Sequence, residues 1–472
     1  MTIEEKNDRE QILKLVEEYT KKYLIDNKPF KEGDRINYAG RVFDEKEVVN
    51  LVDSSLDFWL TEGKYYNAFE EKLSKYLNVK KALFVNSGSS ANLLSFFTLT
   101  SHLLGDKAIK RGDEIITLAC GFSTTVSPIL QYGAIPVFVD VDIPSYNIKV
   151  EELNKALSKK TKAIIIAHTL GNPFDLNYIK KFCLEHQLFL IEDNCDALGS
   201  EYNIEKNLYY AKTIEEYEDL NKKDPSKEKI WVKTGTIGDI ATSSFYPAHH
   251  ITTGEGGAVY TNNDLLYKIS KSIRDWGRDC FCKSGVDNTC KNRFSGKYSE
   301  LPNGYDHKYV YSNFGFNLKA TEMQAAIGLA QLDKIDDFTK RRRENFDYFK
   351  NACINLHLDE YFYLPNESID AKSSWFGFLL TIREDKKEEI KRDKIVSYLE
   401  KANIQTRNLF SGNLIKHPCF DNIRNDKTKY LIINDLYNTN YIMNNTFWIG
   451  MYPKMSKEKL DYMIQKIYES IK

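Results

Sequence analysis

The chain has 472 residues, a formal net charge of −1 and a sequence pI near 6.7. This balance excludes the strongly basic surface that nucleic-acid binding requires, so we expect no nucleic-acid partner. No segment approaches the ~18 consecutive apolar residues of a membrane span, and the charged start lacks the apolar run of a signal peptide. We therefore expect a cytoplasmic protein with no membrane segment, built from a large domain and a smaller one.

An amphipathic segment at residues 1–26 predicts an N-terminal helix, which with an irregular arm makes a first region at 1–47. From about Val48, short apolar runs alternate with helical periods, which is the βαβ pattern of an α/β sheet. The runs show little polar alternation, as is typical of parallel strands covered on both faces. The predicted strands are Ala82–Val85, Glu114–Thr117, Val137–Val141, Ala163–Ala167 and Leu188–Ile191, and the predicted helices are Ala91–Leu103, Val150–Ser158 and Leu176–His186.

Residues 205–233 interrupt this rhythm with a dense run of Lys, Glu, Asp and Tyr. They predict a solvated insertion with a short helix near Thr213–Leu220. A long helix is predicted from about Thr321 to Phe349, bridging to a C-terminal domain. The predicted division is therefore a large domain at 48–335, which includes the insertion, and a small domain at 336–472.

Three loops after predicted strands carry candidate ligand-binding groups. Ser89 and Ser90 lie in a Ser/Gly loop where backbone N–H groups and hydroxyls can surround a phosphate, although the same loop could be an ordinary helix cap. Asp193 ends a strand and could likewise be a simple cap. Phe122 offers a ring that could stack on a ligand or pack in the core. Ligands of α/β sheets bind beyond the carboxyl ends of the strands, which favours one shared site.

The segment from Ser244 to Gly257 reads SFYPAHHITTGEGG. Together with Trp59–Gly63, Phe138–Val141 and Gly315–Lys319, it resembles the sugar aminotransferase family of pyridoxal-phosphate enzymes named after DegT, DnrJ, EryC and StrS. The resemblance runs from about Val48 to the C-terminus. It implies an α/β, aspartate-aminotransferase-like fold (fold type I) with a mostly parallel sheet, a cofactor-binding large domain and a smaller C-terminal α+β domain.

The resemblance also implies roles for individual residues. Asp193 would bind the pyridinium N–H of the cofactor and Phe122 would stack on its ring. Asn317 would reach the phosphate from a second subunit, which implies a homodimer. The remaining implied contacts are Ser89, Ser90 and Ser244 to the phosphate, His168 near the ring, and Arg407 to a substrate diphosphate, for which a guanidinium is well shaped.

His249 stands where the family has its cofactor-binding lysine. An imidazole cannot hold the cofactor covalently, so pyridoxamine phosphate would bind without a covalent bond. Histidine titrates near neutrality and suits a general base that removes the C4′ proton; the alternative is a packed or metal-binding pair with His250.

In carrying this substitution the chain resembles one branch of the family, the sugar 3-dehydrases. This resemblance implies loss of the C3 hydroxyl from a nucleotide-linked 4-keto-6-deoxyhexose, CDP-linked, in the synthesis of 3,6-dideoxysugars for lipopolysaccharide O-antigen.

The cysteines distinguish the members of that branch. Cys280, Cys282 and Cys290 form a C-x-C-x7-C pattern, and Cys195 offers a fourth thiolate for a [2Fe–2S] cluster. Zinc also accepts four thiolates, and the spacing leaves the two metals open. The position of Cys195 beside Asp193 favours the cluster. The resemblance then implies an NADH-dependent flavin and iron–sulfur reductase as partner.

Two other functions compete with this interpretation. One is a cluster-free dehydratase of GDP-4-keto-6-deoxymannose, which regenerates its cofactor from glutamate. The other is a non-catalytic, zinc-stabilised binding protein on a decayed scaffold. Retention of Asp193, the Ser/Gly loop and Gly254–Gly257 argues against decay, because a scaffold does not need them together.

Overall fold

The computed structural model describes residues 1–25, 28–282 and 284–472. The N-terminal helix predicted for 1–26 is present up to residue 24, and Asp26 lies outside the described residues.

The strands of the protein, in chain order, are β1 Lys81–Val85, β2 Glu114–Leu118, β3 Ile135–Val139, β4 Thr161–Ala167, β5 Phe189–Asp193, β6 Glu201–Glu205, β7 Lys229–Lys233, β8 Ile240–Ser244, β9 Gly257–Thr261, β10 Phe362–Tyr363, β11 Ala371–Lys372, β12 Gly377–Ile382, β13 Leu431–Ile432 and β14 Thr446–Gly450.

The main sheet has eight strands in the order β1-β9-β8-β5-β4-β2-β3-β13. Strand β9 runs antiparallel to β1 and β8, and the other pairs are parallel. Every residue of β2, β8 and β9 is buried, which explains why their sequences do not alternate between polar and apolar residues. The α/β prediction is confirmed, and each of the five predicted strands is present within a few residues of its expected bounds.

Helices cover the sheet and extend beyond it. The predicted Leu176–His186 is found as such, with Asp175 capping its first turn. The helices, in chain order, are α1 Ile3–Tyr19, α2 Glu45–Leu56, α3 Lys64–Leu77, α4 Gly88–Thr98, α5 Ser123–Tyr132, α6 Leu153–Ala156, α7 Leu176–His186, α8 Lys206–Tyr210, α9 Ile214–Lys223, α10 Asp264–Arg274, α11 Glu322–Leu332, α12 Ile335–Asn355, α13 Arg392–Lys401, α14 Tyr437–Asn445 and α15 Lys457–Ser470. Within the described ranges, no helix has both the length and the apolar character that crossing a bilayer requires.

The predicted long helix from Thr321 to Phe349 is wrong, because the chain forms two helices there. Helix α11 ends at Leu332 and α12 begins at Ile335. Lys334 lies at the break, and its ammonium pairs with Asp44 at 2.9 Å and with Glu47 of helix α2. These partners come from distant sequence, so the helical period could not reveal the break.

The insertion at 205–233 folds into its own small layer. Strands β6 and β7 pair antiparallel and β11 joins their edge, with α8 and α9 between them in the chain. The short helix predicted near Thr213–Leu220 is confirmed as α9, which Thr213 caps.

The C-terminal part carries the antiparallel sheet β10-β12-β14 and a separate apolar core. Strand β13 returns from this part to pair with β3 at the edge of the main sheet. The two parts are therefore interlocked, and the boundary at 335/336 stays a prediction.

Glu192 anchors the end of β5 from inside the protein. Its buried carboxylate accepts hydrogen bonds from the backbone N–H groups of Gly235 at 2.8 Å and Ile237 at 2.9 Å, and lies 3.1 Å from Nε2 of His168. Burial raises the pKa of Glu192, but the hydrogen bonds from His168 and the backbone outweigh it and lower that pKa. The anion is thus the form that the fold stabilises.

We expect Glu192→Gln to lower the free energy of unfolding by about 3 kcal/mol, because an amide group would face N–H donors and leave one of them unpaired. The contribution of Glu192 is complete above its ordinary pKa and is lost as the pH falls through the lowered one. The loss in the variant should therefore shrink in acid. Urea unfolding at pH 7 and pH 4 measures this, with the exposed Glu218→Gln as the control. Equal stability of Glu192→Gln and wild type at pH 7 would contradict the prediction.

Candidate active site

A cavity of about 460 Å³ opens at the carboxyl ends of the central strands, between the main sheet and the C-terminal part. Seven of the residues that the sequence predicted for the site line it: Ser89, Phe122, Asp193, Cys195, Ser244, His249 and Arg407. They come from five separate segments of the chain, and the parallel strands bring these segments to one edge, as expected for an α/β sheet.

Asp193 lies buried at the end of β5, on the cavity wall. Its Oδ2 accepts hydrogen bonds from the Asn92 amide at 2.8 Å and the Thr125 hydroxyl at 2.7 Å, and its Oδ1 accepts one from the Cys195 backbone N–H at 3.2 Å. These donors stabilise an anionic carboxylate in a fixed position. The arrangement can hold a protonated ring nitrogen, and it is more than a cap of the next segment.

Hydroxyl groups gather at the start of α4. Gly88 packs so closely on Ser244 that a Cβ atom at position 88 would lie 2.4 Å from the Ser244 Cβ, so this contact requires glycine. The Ser89 Oγ lies 3.4 Å from the hydroxyl of Thr124, and both residues line the cavity with Ser244. With the helix N-terminus behind them, these groups form an anion site.

Ser90 departs from its predicted role. Its hydroxyl lies 3.0 Å from the Ser87 Oγ, and Ser87 also caps α4 by accepting the Ser90 N–H. Ser87 lines the cavity and Ser90 does not. A helical turn rotates Ser90 away from the side on which Ser89 faces the cavity.

His249 lies on the cavity wall with 16% of its side chain exposed. Its Nδ1 is 3.4 Å from a carboxylate oxygen of Asp196. The Arg342 guanidinium donates to the carbonyl of His249 at 3.4 Å and to that of Met451 at 2.9 Å, which ties this loop to the C-terminal part. Burial lowers the pKa of His249 to about 4, against the charge of Asp193, so the imidazole is unprotonated near neutral pH and can accept a proton.

His250, the neighbour that the sequence left unassigned, has a structural position. It is buried, and its Nε2 lies 2.6 Å from the Ser374 carbonyl. It fastens the loop to the C-terminal part and does not line the cavity.

Phe122 and Arg407 hold positions consistent with their predicted roles. Phe122 is 48% exposed at the cavity and meets the ring of Phe410 edge-on at 5.6 Å between centroids. The Arg407 guanidinium lies 4.0 Å from the centroid of the Tyr38 ring. One face of Phe122 is thus available to a planar ligand.

His168 and Asn317 lie off the wall of this cavity. The ring of His168 is fully buried and stacks on Phe174 at 4.3 Å while binding Glu192, and its position near a cofactor ring stays a prediction. The sequence put His168 at the end of β4, but its side chain points into the sheet interior. Asn317 is exposed on the outside of the chain.

The Sγ atoms of Cys280, Cys282 and Cys290 lie within 4.8 Å of one another. They line a small second cavity in the segment between α10 and α11. Burial raises the pKa of Cys282, but hydrogen bonds from the Thr289 hydroxyl and the Cys290 backbone outweigh it and lower that pKa to about 6. Three thiols held this closely, one of them readily ionised, are suited to a metal centre.

Cys195 does not join this group among the described residues. It lines the large cavity, where burial and the nearby Asp193 carboxylate raise the pKa of its thiol well above the ordinary value. The predicted set of four ligands is therefore split, within one chain, into three thiols and one.

Sequence reasoning missed four further residues of the wall or its support. Asn92 and Thr125 lie in the first turns of α4 and α5, and Asp196 follows β5, close to segments that the sequence had already marked, so a residue-by-residue inspection of those segments could have found them. Burial and the charge of Asp193 raise the pKa of Asp196 to about 8. Arg342 gave no local signal, because it sits in the middle of helix α12.

A mostly parallel sheet with a buried aspartate, a hydroxyl-lined helix start and an exposed aromatic ring at one cavity defines the pyridoxal-phosphate class of fold type I. Residues 42–468 match the model of the DegT/DnrJ/EryC1/StrS aminotransferase family, and the chain belongs to this family. Both the recognised family and the predicted fold are confirmed.

Relatives of known name are similar along nearly the whole chain. The lipopolysaccharide biosynthesis protein RfbH of Salmonella typhimurium is 47% identical over 464 residues, 98% of each chain. The dTDP-4-dehydro-2,6-dideoxy-D-glucose 3-dehydratase of Saccharopolyspora spinosa is 42% identical over 436 residues, 92% of this chain and 86% of that one. The structure of E. coli GDP-4-keto-6-deoxy-D-mannose-3-dehydratase with bound hydrated PLP has a TM-score of 0.74 at 28% identity, covering 92% of this chain and 99% of that chain.

Proposed function

We propose that this protein removes the C3 hydroxyl of a nucleotide-linked 4-keto-6-deoxyhexose, CDP-linked, in 3,6-dideoxysugar biosynthesis in the cytoplasm. The observation that carries the proposal is His249. It replaces the lysine of the family motif, yet lies on the cavity wall as an unprotonated imidazole. The two relatives named as 3-dehydratases and the one named for lipopolysaccharide biosynthesis support the reaction class.

The residues of the cavity fit pyridoxamine phosphate. Asp193 is placed to hold the ring nitrogen in its protonated form, and Phe122 to cover the ring. The hydroxyls of Ser89, Thr124 and Ser244 are placed to bind the phosphate. Bound there, the cofactor supplies an amine that condenses with the C4 ketone and a conjugated ring that accepts electrons as the C3 hydroxyl leaves.

His249 then has one task in the reaction, which is to take the proton from the C4′ carbon. Burial keeps the imidazole free to accept this proton, and the Asp196 carboxyl group lies 3.4 Å from Nδ1, on the side of the ring that faces it. Arg342 fixes the backbone of the loop that carries the base. Arg407, at the cavity mouth, is the proposed contact of the substrate diphosphate.

We further propose that Cys280, Cys282 and Cys290 are ligands of a [2Fe–2S] cluster, with Cys195 as the fourth. Bound there, the cluster would supply single electrons for the deoxygenation, and an NADH-dependent flavin and iron–sulfur reductase would be its electron donor. The close approach of three thiols supports a metal centre at these residues. A reducing compartment keeps such thiols free of disulfides.

Metal analysis of anaerobically reconstituted protein tests the proposal. We expect iron and acid-labile sulfide in equal amounts, and an EPR signal of a reduced [2Fe–2S] cluster after dithionite. Full occupancy by zinc with no such signal would exclude it. The cluster-free alternative predicts 2-oxoglutarate formation from glutamate without a reductase, and the non-catalytic alternative predicts no visible absorption change on addition of pyridoxamine phosphate.

A further inference from the structure

The segment between α10 and α11, residues 275–317, is here termed the cysteine loop. It brings three Sγ atoms within 4.8 Å of one another. A [2Fe–2S] cluster of the all-cysteine type has four thiolate ligands, two for each iron. The cysteine loop holds Cys280, Cys282 and Cys290, so one ligand has to come from outside it.

The remaining candidate, Cys195, is held apart from these three in the same chain. It directly follows β5, and its backbone N–H is bonded to Asp193. The cavity that it lines and the cavity of the three cysteines have no lining residue in common. A cysteine side chain has a single rotatable bond to its sulfur, so a rotamer change moves the Cys195 sulfur only around its own Cβ atom.

The cysteine loop is also fastened where it is. The Asp279 backbone N–H donates to the Val310 carbonyl at 2.9 Å, and the Asp279 carboxylate binds the buried ring of His307 at 2.7 Å. The Lys271 ammonium donates to the Phe281 carbonyl at 3.2 Å, beside the first two cysteines. The first two contacts brace the loop internally. The third, together with the hydrogen bond from the Phe316 N–H to the Ile273 carbonyl at 2.7 Å, ties the loop to helix α10.

We infer that the cluster is completed between two copies of this chain, with the cysteine loop of one copy docked against Cys195 of the other. The inference rests on the proposed iron–sulfur function. A twofold dimer then contains two equivalent centres, each made of three ligands from one subunit and one from its partner. Because the Cys195 backbone N–H is bonded to Asp193, the fourth ligand would lie beside the proposed cofactor site of the second copy.

The surface of the cysteine loop fits such a docking. Phe314 is fully exposed at 102% of its reference area, and Tyr309, Tyr311 and Phe281 are 53–55% exposed. A soluble monomer rarely presents so many large apolar rings on one segment, and aromatic side chains are enriched at interfaces. Asn317 lies on the same loop and off its own cavity, as expected if it reaches the cavity of the second copy. The occupant is a second copy because the missing thiol belongs to this chain.

A mixed dimer tests the inference. A Cys195→Ser chain and a Cys280→Ser/Cys282→Ser chain, carrying different affinity tags, are co-expressed and purified over both tags. Each variant alone should lose the cluster. The mixed dimer should recover one centre, seen as about half of the wild-type iron and sulfide with an unchanged EPR line shape. If the centre forms within one chain, neither subunit of the mixed dimer has a full set, and iron will be absent; that result overturns the inference.

The controls separate this inference from the proposed function. Wild-type protein without iron or sulfide refutes the cluster itself, whereas a wild-type cluster with an iron-free mixed dimer refutes only the shared site. A Cys195→Ser homodimer that keeps its cluster, or a wild-type holoprotein that is monomeric in solution, also overturns the inference. The exposed Cys419→Ser should keep full iron content.

A short thiol-bridging cross-linker gives a measurement that does not depend on variants. In wild-type protein stripped of iron, it should join the Cys195 peptide to a peptide of the cysteine loop, in a band of twice the chain mass. The same peptide pair in a band of single chain mass would show that the four thiols meet within one chain.

Discussion

Replacing His249 by asparagine is expected to lower the rate of C3 dehydration by about 10²–10⁴-fold, which is the usual contribution of a positioned general base. Binding of pyridoxamine phosphate should change by no more than a few-fold. The reason is that Asp193, Ser89 and Ser244, the proposed anchors of the cofactor, are separate from His249 on the cavity wall. Asparagine keeps a polar side chain of similar size but cannot accept and release the proton.

Single-turnover loss of the sugar C3 hydroxyl, followed by chromatography, measures the chemical step, and visible absorption measures cofactor binding. His357→Asn is the matched control. The His357 side chain is 77% exposed, and His357 is far in sequence from every predicted site residue. Near-normal turnover of His249→Asn would contradict the assignment of His249 as the general base. A variant that instead fails to bind the cofactor would show that His249 serves binding rather than proton transfer.

Asp193→Asn is expected to weaken pyridoxamine phosphate binding by about 10²-fold or more. Removing one member of a buried, hydrogen-bonded charge pair costs about 2–5 kcal/mol, and each 1.4 kcal/mol is a factor of ten in affinity. The donors Asn92 and Thr125 are arranged for a carboxylate, and an amide cannot accept from both and hold a protonated ring nitrogen. Turnover should fall further, because the ring then loses its role as an electron acceptor.

Equilibrium titration followed by the near-ultraviolet absorption and fluorescence of pyridoxamine phosphate gives the dissociation constant. Asp219→Asn, a surface carboxylate of helix α9 paired only with a neighbouring lysine in the structure, provides the control and should bind as wild type does. Wild-type affinity in Asp193→Asn would mean that the carboxylate is the helix-cap type of residue that the sequence also allowed.

The secondary structure of the main sheet was predictable because its strands are short, apolar and buried. A run such as Glu114–Thr117 between polar turns has few other ways to bury its side chains. The break between α11 and α12 was not predictable, because Lys334 pairs with carboxylates near residue 45 that no local pattern connects to it.

The sequence predicted which loops form the candidate site, but not which side chains of those loops face the cavity. Asp193, Ser89 and His249 were found because each follows a strand or stands in a family motif. For Ser90 and His168 the sequence could not give the orientation of the side chain, because position in a loop does not reveal which way a side chain points. The Ser90 hydroxyl is turned toward Ser87 by the helical turn of α4, and the His168 ring is turned into the interior by the buried carboxylate of Glu192.

The sequence by itself determined the fold class, the family, the replacement of lysine by His249 and the presence of three clustered cysteines. These features are local patterns, and short-range spacing preserves them. Only the tertiary structure decided that Asp196 and Arg342 support the histidine, that His168 faces the interior, and that Cys195 lies in a different cavity from the other three thiols. Such facts depend on contacts between distant segments, whose distances are set by the packing of the whole chain.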